Sequence, residues 1–280
     1  MRISKSCESC LFDKQRHLSD DPEYLNEVRN LLNTRNDEDT APYMVYLFTE
    51  AYKKRFGKKG DYSSIKREYN DLILSMEDEI REMIYEDKDP LLKSLCLARV
   101  GNYIDFGAMN HVDHNTFISL LRESSFSKDD LKIYDHFKTS LSIAQSFLLL
   151  ADNCGEIVFD KLLIEVIKKF YPDIDITVMV RGEDVLNDAT RQDAIYIGLD
   201  KIAHIVDNGK PVAGIIMSYL PEESKEVFNK ADIILSKGQG NYESLSHQGY
   251  SIYYLFLCKC DHFTSRFHVP PLTGMFVEEK

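Results

Sequence analysis

Two carboxylates that follow apolar, strand-like segments are the residues of this sequence best placed to do chemistry. Asp152 and Asn153 come directly after the apolar run at 148–151, and Asp188 follows the next strand-like segment. Carboxylate and amide oxygens suit Mg²⁺ or Mn²⁺, and Mg²⁺ needs only a few protein ligands besides water and substrate oxygens. We therefore predict that Asp152, Asn153 and Asp188 bind a divalent metal ion. The simpler interpretation is that these residues, together with Asn187, are N-caps of helices.

A loop rich in glycine follows a third strand-like segment. Its sequence, Lys237-Gly238-Gln239-Gly240-Asn241, offers one ammonium group and backbone amides that side chains do not obstruct, which suits an oxyanion. Lys259, after the last predicted strand, would place a second positive charge at the same edge. The alternatives are an ordinary turn and a solvent-exposed lysine, and the spacing is not that of a Walker loop.

The second half of the chain has the pattern of an α/β protein. Short β-rich runs alternate with helix-length segments, which predicts an open, mostly parallel sheet flanked by helices, a Rossmann-like α-β-α sandwich. The predicted strands are Ser146–Ala151, Ile174–Val180, His204–Val206, Asp232–Leu235 and Ile252–Leu257. Because the carboxyl ends of parallel strands meet at one edge, the metal and phosphate residues are expected close together. His262–Lys280, with Pro270-Pro271, is expected to be a tail or arm.

The first half is predicted to be helical, because apolar residues recur three and four positions apart. The predicted helices are Leu18–Leu32, Met44–Tyr52, one long segment from Tyr69 to Met83, Leu91–Val100, Thr116–Leu121 and Leu131–Phe137. We therefore predict a helical N-terminal domain of residues 1–140 and an α/β domain of residues 141–280.

Composition argues against several classes of function. The formal net charge of −12 disfavours binding to nucleic acid or to an anionic membrane surface, since both reward clustered Lys and Arg. No apolar run approaches the roughly 20 residues that cross a bilayer, and no signal-peptide core follows the first residues. We expect a cytoplasmic protein, and the sequence leaves its oligomeric state open.

Cys7-Glu-Ser-Cys10 is the one cysteine pair with the spacing of metal ligands. Two thiolates cannot complete a tetrahedral zinc site, which would need others such as His17 or Cys96. We favour buried structural cysteines. A structural metal, a redox role, or a non-enzymatic metal-binding regulatory protein are the alternatives.

Together and in order, these motifs resemble the damage-control phosphatase family, long catalogued as domain-of-unknown-function family 89. The likeness spans most of the chain. The motifs that carry it are Asp152-Asn153-x-Gly155-Glu156, Asn187-Asp188-x-Thr190, Lys237 to Asn241, Lys259 and Gly101-Asn102-Tyr-Ile-Asp105-Phe-Gly107. Cys7-x-x-Cys10 resembles the prokaryote-type branch of that family.

The resemblance implies a metal-dependent phosphatase that hydrolyses phosphate monoesters of small metabolites, often damaged or side-product sugar or cofactor phosphates. It implies that Asp152, Asn153 and Asp188 are catalytic and bind Mg²⁺ or Mn²⁺, with Co²⁺ or Ni²⁺ as further candidates. The positions expected to bind the phosphorylated metabolite are Lys237, Gly238, Gln239, Gly240, Asn241, Lys259 and Glu156, and those expected to support the site are Asn102, Asp105 and Asn187.

Two points stay open at the level of sequence. Another branch of the family has an Arg-Thr-x-Lys run at the position where Phe256-Leu257-Cys258 precede Lys259, so that branch's sugar-phosphate preference is not transferred. Asp152 could attack phosphorus itself or could hold the metal while a water attacks.

A carboxyl methyltransferase that uses S-adenosylmethionine is the alternative enzyme, because proteins resembling this one have been proposed to have that activity. Glu183 or Asp184 superficially mimics the ribose-binding acid of a nucleotide fold. The first turn, however, contains only Gly155 and not the Gly-x-Gly-x-x-Gly cluster that lets a backbone approach a cofactor.

Overall fold

The computed structural model describes residues 1–57, 60–103 and 114–280. The described residues before residue 142 form helices and loops, as predicted. The helices are α1 (Lys5–Leu18), α2 (Pro22–Thr34), α3 (Ala41–Phe56), α4 (Ser63–Leu74), α5 (Glu77–Glu86), α6 (Pro90–Gly101), α7 (His114–Glu123) and α8 (Lys128–Leu141). Their starts follow local chemistry: Asp89 caps α6, which begins with Pro90, and Ser127 forms a capping box with Asp130 at the start of α8.

The segment predicted as one long helix from Tyr69 to Met83 is two helices, α4 and α5. The chain leaves helical geometry at Met76, where the backbone has φ −110° and ψ 2°. Ile73, Met76 and Ile80 are nevertheless buried in one cluster. The apolar spacing thus continues across the break, which is why periodicity did not reveal it.

The remainder forms one six-stranded sheet with further helices. Its strands are β1 (Ser146–Leu150), β2 (Asp175–Val180), β3 (His204–Asp207), β4 (Ile233–Lys237), β5 (Ile252–Leu257) and β6 (Gly274–Glu279). The helices are α9 (Glu156–Phe170), α10 (Arg191–Tyr196), α11 (Glu222–Lys230), α12 (Gln239–Leu245) and α13 (Asp261–Phe267). The strand order is β3-β2-β1-β4-β5-β6, and all neighbouring pairs except β5 and β6 are parallel. The predicted open, mostly parallel sheet flanked by helices is confirmed.

The prediction of a C-terminal tail or arm is wrong. Residues after β5 form α13 and then β6, which pairs antiparallel with β5 from Ile252 opposite Glu279 to Leu257 opposite Gly274. Phe276 of β6 is buried and its ring packs edge-on against Phe137 of α8. The C-terminal strand therefore joins the sheet to the helical part.

The strands bury side chains on both faces of the sheet. Phe147 and Leu149 point into a cluster with α4–α6, α8 and α9, whereas Leu148 and Leu150 point into a cluster with α11–α13. A third cluster lies within α1–α3. The proposed domain boundary at residue 140 stays a prediction.

None of the described helices combines the length and the apolar composition needed to span a membrane.

Candidate active site

The candidate site lies where the sheet reverses its winding direction. From β1 the chain continues through β2 and β3 toward one edge, whereas β4 and β5 extend the sheet from the other side of β1. Open α/β sheets bind ligands in the crevice outside the carboxyl ends of the strands at such a point. Asp152 follows β1 and Gly238 follows β4, so the two predicted motifs flank this crevice.

Gly238 is in direct contact with the Asp152 carboxylate. Its φ of +78° lies in the left-handed region, and a Cβ at this position would sit 2.0 Å from Asp152 Oδ2. Only glycine combines this backbone conformation with this close approach. The glycine of the predicted oxyanion loop therefore makes room for the predicted metal ligand.

Arg181 joins the two carboxylates of the site. Its guanidinium donates from Nη2 to Asp152 Oδ1 at 3.1 Å and from Nε to Asp188 Oδ2 at 2.6 Å. Its third nitrogen donates to Asn241 Oδ1 at 2.9 Å, and the side chain is 1% exposed. The rigid fork of an arginine suits this simultaneous contact. Asp152, Asp188 and Asn241 thus come together around one buried cation that the sequence had not singled out.

Asn241 is a buried structural residue in this arrangement. Besides accepting from Arg181, its amide nitrogen donates to Lys237 O at 2.8 Å and to Ala151 O at 3.2 Å. Its side chain therefore ties the end of β1 to the end of β4. This differs from the phosphate contact predicted for Asn241.

The environment of Lys237 also differs from the phosphate contact predicted for it. Its side chain has no exposed surface, and Nζ donates to Glu156 Oε1 at 2.6 Å, to Asp160 Oδ1 at 2.7 Å and to Ala98 O at 2.9 Å. Burial alone would lower the pKa of Lys237, but the charges of Asp160 and Glu156 raise it above its usual range. The lysine therefore supports the site from below instead of reaching a phosphate, and Glu156, which is equally buried, belongs to the same support.

Asn102 connects this buried support to the Asp152 carboxylate. Its amide nitrogen donates to Asp152 Oδ2 at 3.0 Å and to Glu156 Oε2 at 2.7 Å. Asn153 makes the same two kinds of contact, at 2.7 Å to Asp152 Oδ2 and 3.1 Å to Glu156 Oε2. Both asparagines therefore use their amide hydrogens to hold Asp152, and Asn153 Oδ1 is the atom that can bind a cation.

The loop after β2 brings the third predicted ligand to the site. Asn153 and Asp188 form an isolated antiparallel bridge, and Cys154 N donates to Asn187 O at 2.8 Å. Leu186, just before them, has a φ of +49°, an uncommon conformation for a leucine. The main chain itself therefore fixes Asp188 beside Asn153, and Asn187 supports the site through its carbonyl.

Lys259 and Gln239 lie at the opening of the crevice. Both are partly exposed, and Lys259 N donates to Gln239 Oε1 at 2.9 Å. Gly240 packs against a neighbouring loop, because a Cβ there would sit 2.1 Å from Ala213 O. Two lysines were predicted to bind phosphate, and of these Lys237 is fully buried whereas Lys259 is partly exposed. Asp105, which was expected to support the site, lies outside the described residues.

The buried network carries more negative than positive charge. Asp152, Glu156, Asp160 and Asp188 supply four carboxylates, whereas Arg181 and Lys237 supply two cations. Burial and the charges of Asp188 and Glu156 raise the pKa of Asp152 to about 8, although Arg181 and Lys259 act in the opposite direction. With every carboxylate ionised, two negative charges remain to be balanced.

A comparison with models of protein families identifies the family of this chain. Residues 2–271 match the model of the damage-control phosphatase ARMT1-like domain. The chain belongs to this family. A solved structure of a DUF89-family protein from Pyrococcus horikoshii superposes with a TM-score of 0.79 over 100% of both chains, at 23% sequence identity. That likeness concerns the fold.

Two relatives are similar along nearly their whole length. A protein of Methanocaldococcus jannaschii described as uncharacterized is 32% identical, with 93% of this chain and 90% of the relative covered. A protein of Archaeoglobus fulgidus named as a damage-control phosphatase is 30% identical, with 93% of each covered. The resemblance stated from the motifs is thus confirmed at the level of the family.

The donor set of the candidate site suits a divalent cation. Asp152 and Asp188 provide carboxylate oxygens and Asn153 provides an amide oxygen, and the two carboxylates outnumber the one guanidinium that pairs with them. Asn102 Oδ1 is buried without a hydrogen-bond partner among the described residues, as an acceptor facing a hydrated ion would be. In the described part of the chain, no three His, Cys, Asp or Glu side chains form a metal-binding group, so a site here depends on amide oxygens as well as carboxylates.

The Cys-x-x-Cys pair lies at the start of helix α1, but it is not buried. Ser4 caps α1 and accepts from Cys7 N, so both cysteines lie in the first turns of the helix. Cys7 is half-buried and Cys10 is exposed, which makes the prediction of buried structural cysteines wrong. Cys96 is buried in the core beneath the sheet, where burial raises the pKa of its thiol to about 11.

Proposed function

We propose that this protein is a divalent-metal-dependent phosphatase that hydrolyses phosphate monoesters of small metabolites, including damaged or side-product sugar or cofactor phosphates. The observation that carries the proposal is the pair Asp152 and Asp188, held together by Arg181 at the switch point of the sheet. Relatives named as damage-control phosphatases support phosphatase chemistry.

Asp152, Asn153 and Asp188 would hold the ion, with Mg²⁺ or Mn²⁺ as the first candidates and Co²⁺ or Ni²⁺ as the next. A bound divalent cation polarises a phosphoryl oxygen and offsets negative charge that develops during transfer. Arg181 fixes the orientation of both carboxylates, and Asn102 and Asn153 hold Asp152 from its other oxygen. Lys259 supplies a positive charge to the phosphate at the crevice opening.

One of the two candidate acids of the methyltransferase alternative, Asp184, is already engaged in another contact. Asp184 Oδ1 accepts from Lys66 Nζ at 2.7 Å, so this carboxylate is engaged in an ion pair. We also propose a cytoplasmic location and membership of the Cys-x-x-Cys branch, on sequence grounds alone.

A panel of phosphate monoesters tests the proposed function. Metal-stripped protein is assayed for phosphate release from sugar phosphates and phosphorylated cofactors, with and without Mg²⁺, Mn²⁺, Co²⁺ and Ni²⁺. We expect release from at least one monoester with a divalent ion and none without it. Tight, metal-independent binding of S-adenosylmethionine with no phosphate release would favour methyl transfer instead.

Gly238→Ala is expected to lower kcat/KM for phosphate release by about 100-fold, because an added methyl group displaces Asp152 and a shift of about 1 Å in a reacting group costs about that factor. Gly249→Ala is the matched control. Gly249 has a similar φ of +81° but no atom within 4 Å of its Cβ position, so it carries the backbone strain without the collision. Equal activity losses in the two variants would show that strain, and not contact with Asp152, explains the effect.

A further inference from the structure

A second cavity lies at the end of α12 that is opposite Gly238. Its volume is about 860 Å³, and it is bounded by the start of α3, the 215–219 loop, the end of α12 and α13. This volume is within the range of pockets that bind small molecules. None of the residues assigned to the candidate active site lines it, so the inference below is independent of the proposed function.

Three of the residues that line this cavity each have a buried polar atom with no hydrogen-bond partner among the described residues. They are Thr40 Oγ1, Ser246 Oγ and His262 Nε2. Thr40 and Ser246 are only 4% and 2% exposed, and leaving such a group unpaired costs about 1–3 kcal/mol. In the described part of the chain, the other comparable group of unpaired atoms, on Asn70, Asn102, Asp160 and Asn187, surrounds the candidate active site. The cavity and the candidate active site therefore share this feature: each has buried polar atoms without a hydrogen-bond partner nearby.

The charge and chemistry of the wall favour an anion with polar substituents. Arg266 lines the cavity with a permanent positive charge, and the two hydroxyl groups and the imidazole can each donate a hydrogen bond. The rings of Tyr43 and Tyr219, whose centroids are 6.1 Å apart, provide a surface for an organic group. Glu38 and Asp39 also line the cavity and would accept hydrogen bonds from hydroxyl or amino groups of a ligand, while Arg2 adds a second permanent positive charge.

We propose that this cavity is a second ligand site for a small hydroxylated or amino-bearing oxyanion, either a phosphate monoester or a carboxylate. The oxyanion lies against Arg266 and bonds to Thr40, Ser246 and His262, and the organic part lies against the tyrosine rings. Ser246 and His262 follow closely on the chain segments that carry Gln239 and Lys259. The ligand therefore contacts segments that also border the crevice of the candidate active site.

Calorimetric titration of metal-stripped protein tests this site, with inorganic phosphate, ribose 5-phosphate and malate as probes. We expect at least one probe to bind, and its affinity to fall about ten-fold or more in the Thr40→Val/Ser246→Ala double variant, because hydrogen bonds to a charged group are lost. Thr49→Val in α3, the helix that begins directly after Thr40, is the matched control. Thr49 Oγ1 donates to Val45 O, and Thr49 does not line the cavity. This variant should bind like the wild type.

Two further measurements distinguish binding in this cavity from binding at the candidate active site and from a loss of folding. Lys259→Ala, which alters the candidate active site, should retain probe binding. Without a probe, the double variant should melt at or above the wild-type temperature, since it removes two unpaired buried hydroxyl groups. The proposal is overturned if no probe binds, if the double variant binds as tightly as wild type, or if Lys259→Ala abolishes binding.

Discussion

Asp152→Ala and Asp188→Ala should each lower kcat/KM for metal-dependent phosphate release by about a thousand-fold or more, because charge stabilisation by a bound metal is worth several kcal/mol. Each substitution removes a carboxylate from a donor set of only two carboxylates and one amide. It also leaves Arg181 with one acidic partner, so the remaining carboxylate loses its fixed position. Steady-state kinetics at saturating Mg²⁺ and Mn²⁺ measures the effect.

Asp175→Ala is the control for these two variants. Asp175 is exposed at the amino end of β2, the strand whose carboxyl end leads to Asp188. The substitution is therefore chemically identical and lies at the opposite edge of the sheet. Wild-type kinetics are expected for it, and near-normal activity in both Asp152→Ala and Asp188→Ala would overturn the site assignment.

Lys237→Met should lower the free energy of unfolding by about 3–5 kcal/mol, the usual cost of removing one partner from a buried ion pair. The variant leaves Glu156 and Asp160 buried without their cation and leaves Ala98 O without its donor. Burial already raises the pKa of Asp160 to about 7 with the lysine present. Urea unfolding followed by circular dichroism gives the loss.

Two companion variants separate this buried role from a contact with phosphate. Adding Asp160→Asn to Lys237→Met should recover part of the lost stability, because it removes one of the uncompensated charges. Lys230→Met should change stability by less than about 0.5 kcal/mol, because Lys230 makes an exposed pair with Glu226 one helical turn away. If Lys237→Met folds with wild-type stability and raises only KM, the lysine binds substrate and not the buried carboxylates.

The sequence predicted that the candidate site lies at the carboxyl ends of the strands, because the ends of apolar runs indicate where strands end. Apolar runs that stop just before Asp152 and at the start of the loop that carries Asp188 indicate the carboxyl ends of parallel strands, which meet at one edge. The switch point between β1 and β4 then places Gly238 beside Asp152. Residue type and the predicted strand ends were sufficient to bring both motifs to one edge, whereas the strand order was not predicted and comes from the structure.

The roles of the cations were harder to predict, because they depend on the direction of single side chains. Lys237 is the last residue of β4, and its sequence neighbours do not say whether it faces the crevice or the core. Glu156 and Asp160 carried a usable signal, since these two acids lie four residues apart on either side of the apolar run Ile157-Val158-Phe159, and buried acids on such a face need a cation. Arg181 carried a similar signal, because it is a charged residue directly after the buried residues of β2.

The C-terminal strand escaped prediction for a different reason. Pro270-Pro271 and the charged end of the chain suggest an irregular segment, and a single edge strand has little periodicity of its own. Its formation depends on Phe276, which enters the core between β5 and α8. That contact joins residues far apart in the sequence, so no local pattern predicts it.

Parallel measurement of manganese binding and phosphate release tests the metal-dependent site most directly. Metal-stripped wild-type protein is titrated with Mn²⁺, free Mn²⁺ is followed by electron paramagnetic resonance, and phosphate release from the best substrate of the panel is measured in the same samples. We expect phosphate release to rise with the fraction of protein that holds Mn²⁺, and both to be lost in Asp188→Asn. Undiminished phosphate release by the metal-stripped protein, or wild-type Mn²⁺ binding by an Asp152→Asn/Asp188→Asn variant, would contradict the proposed metal site.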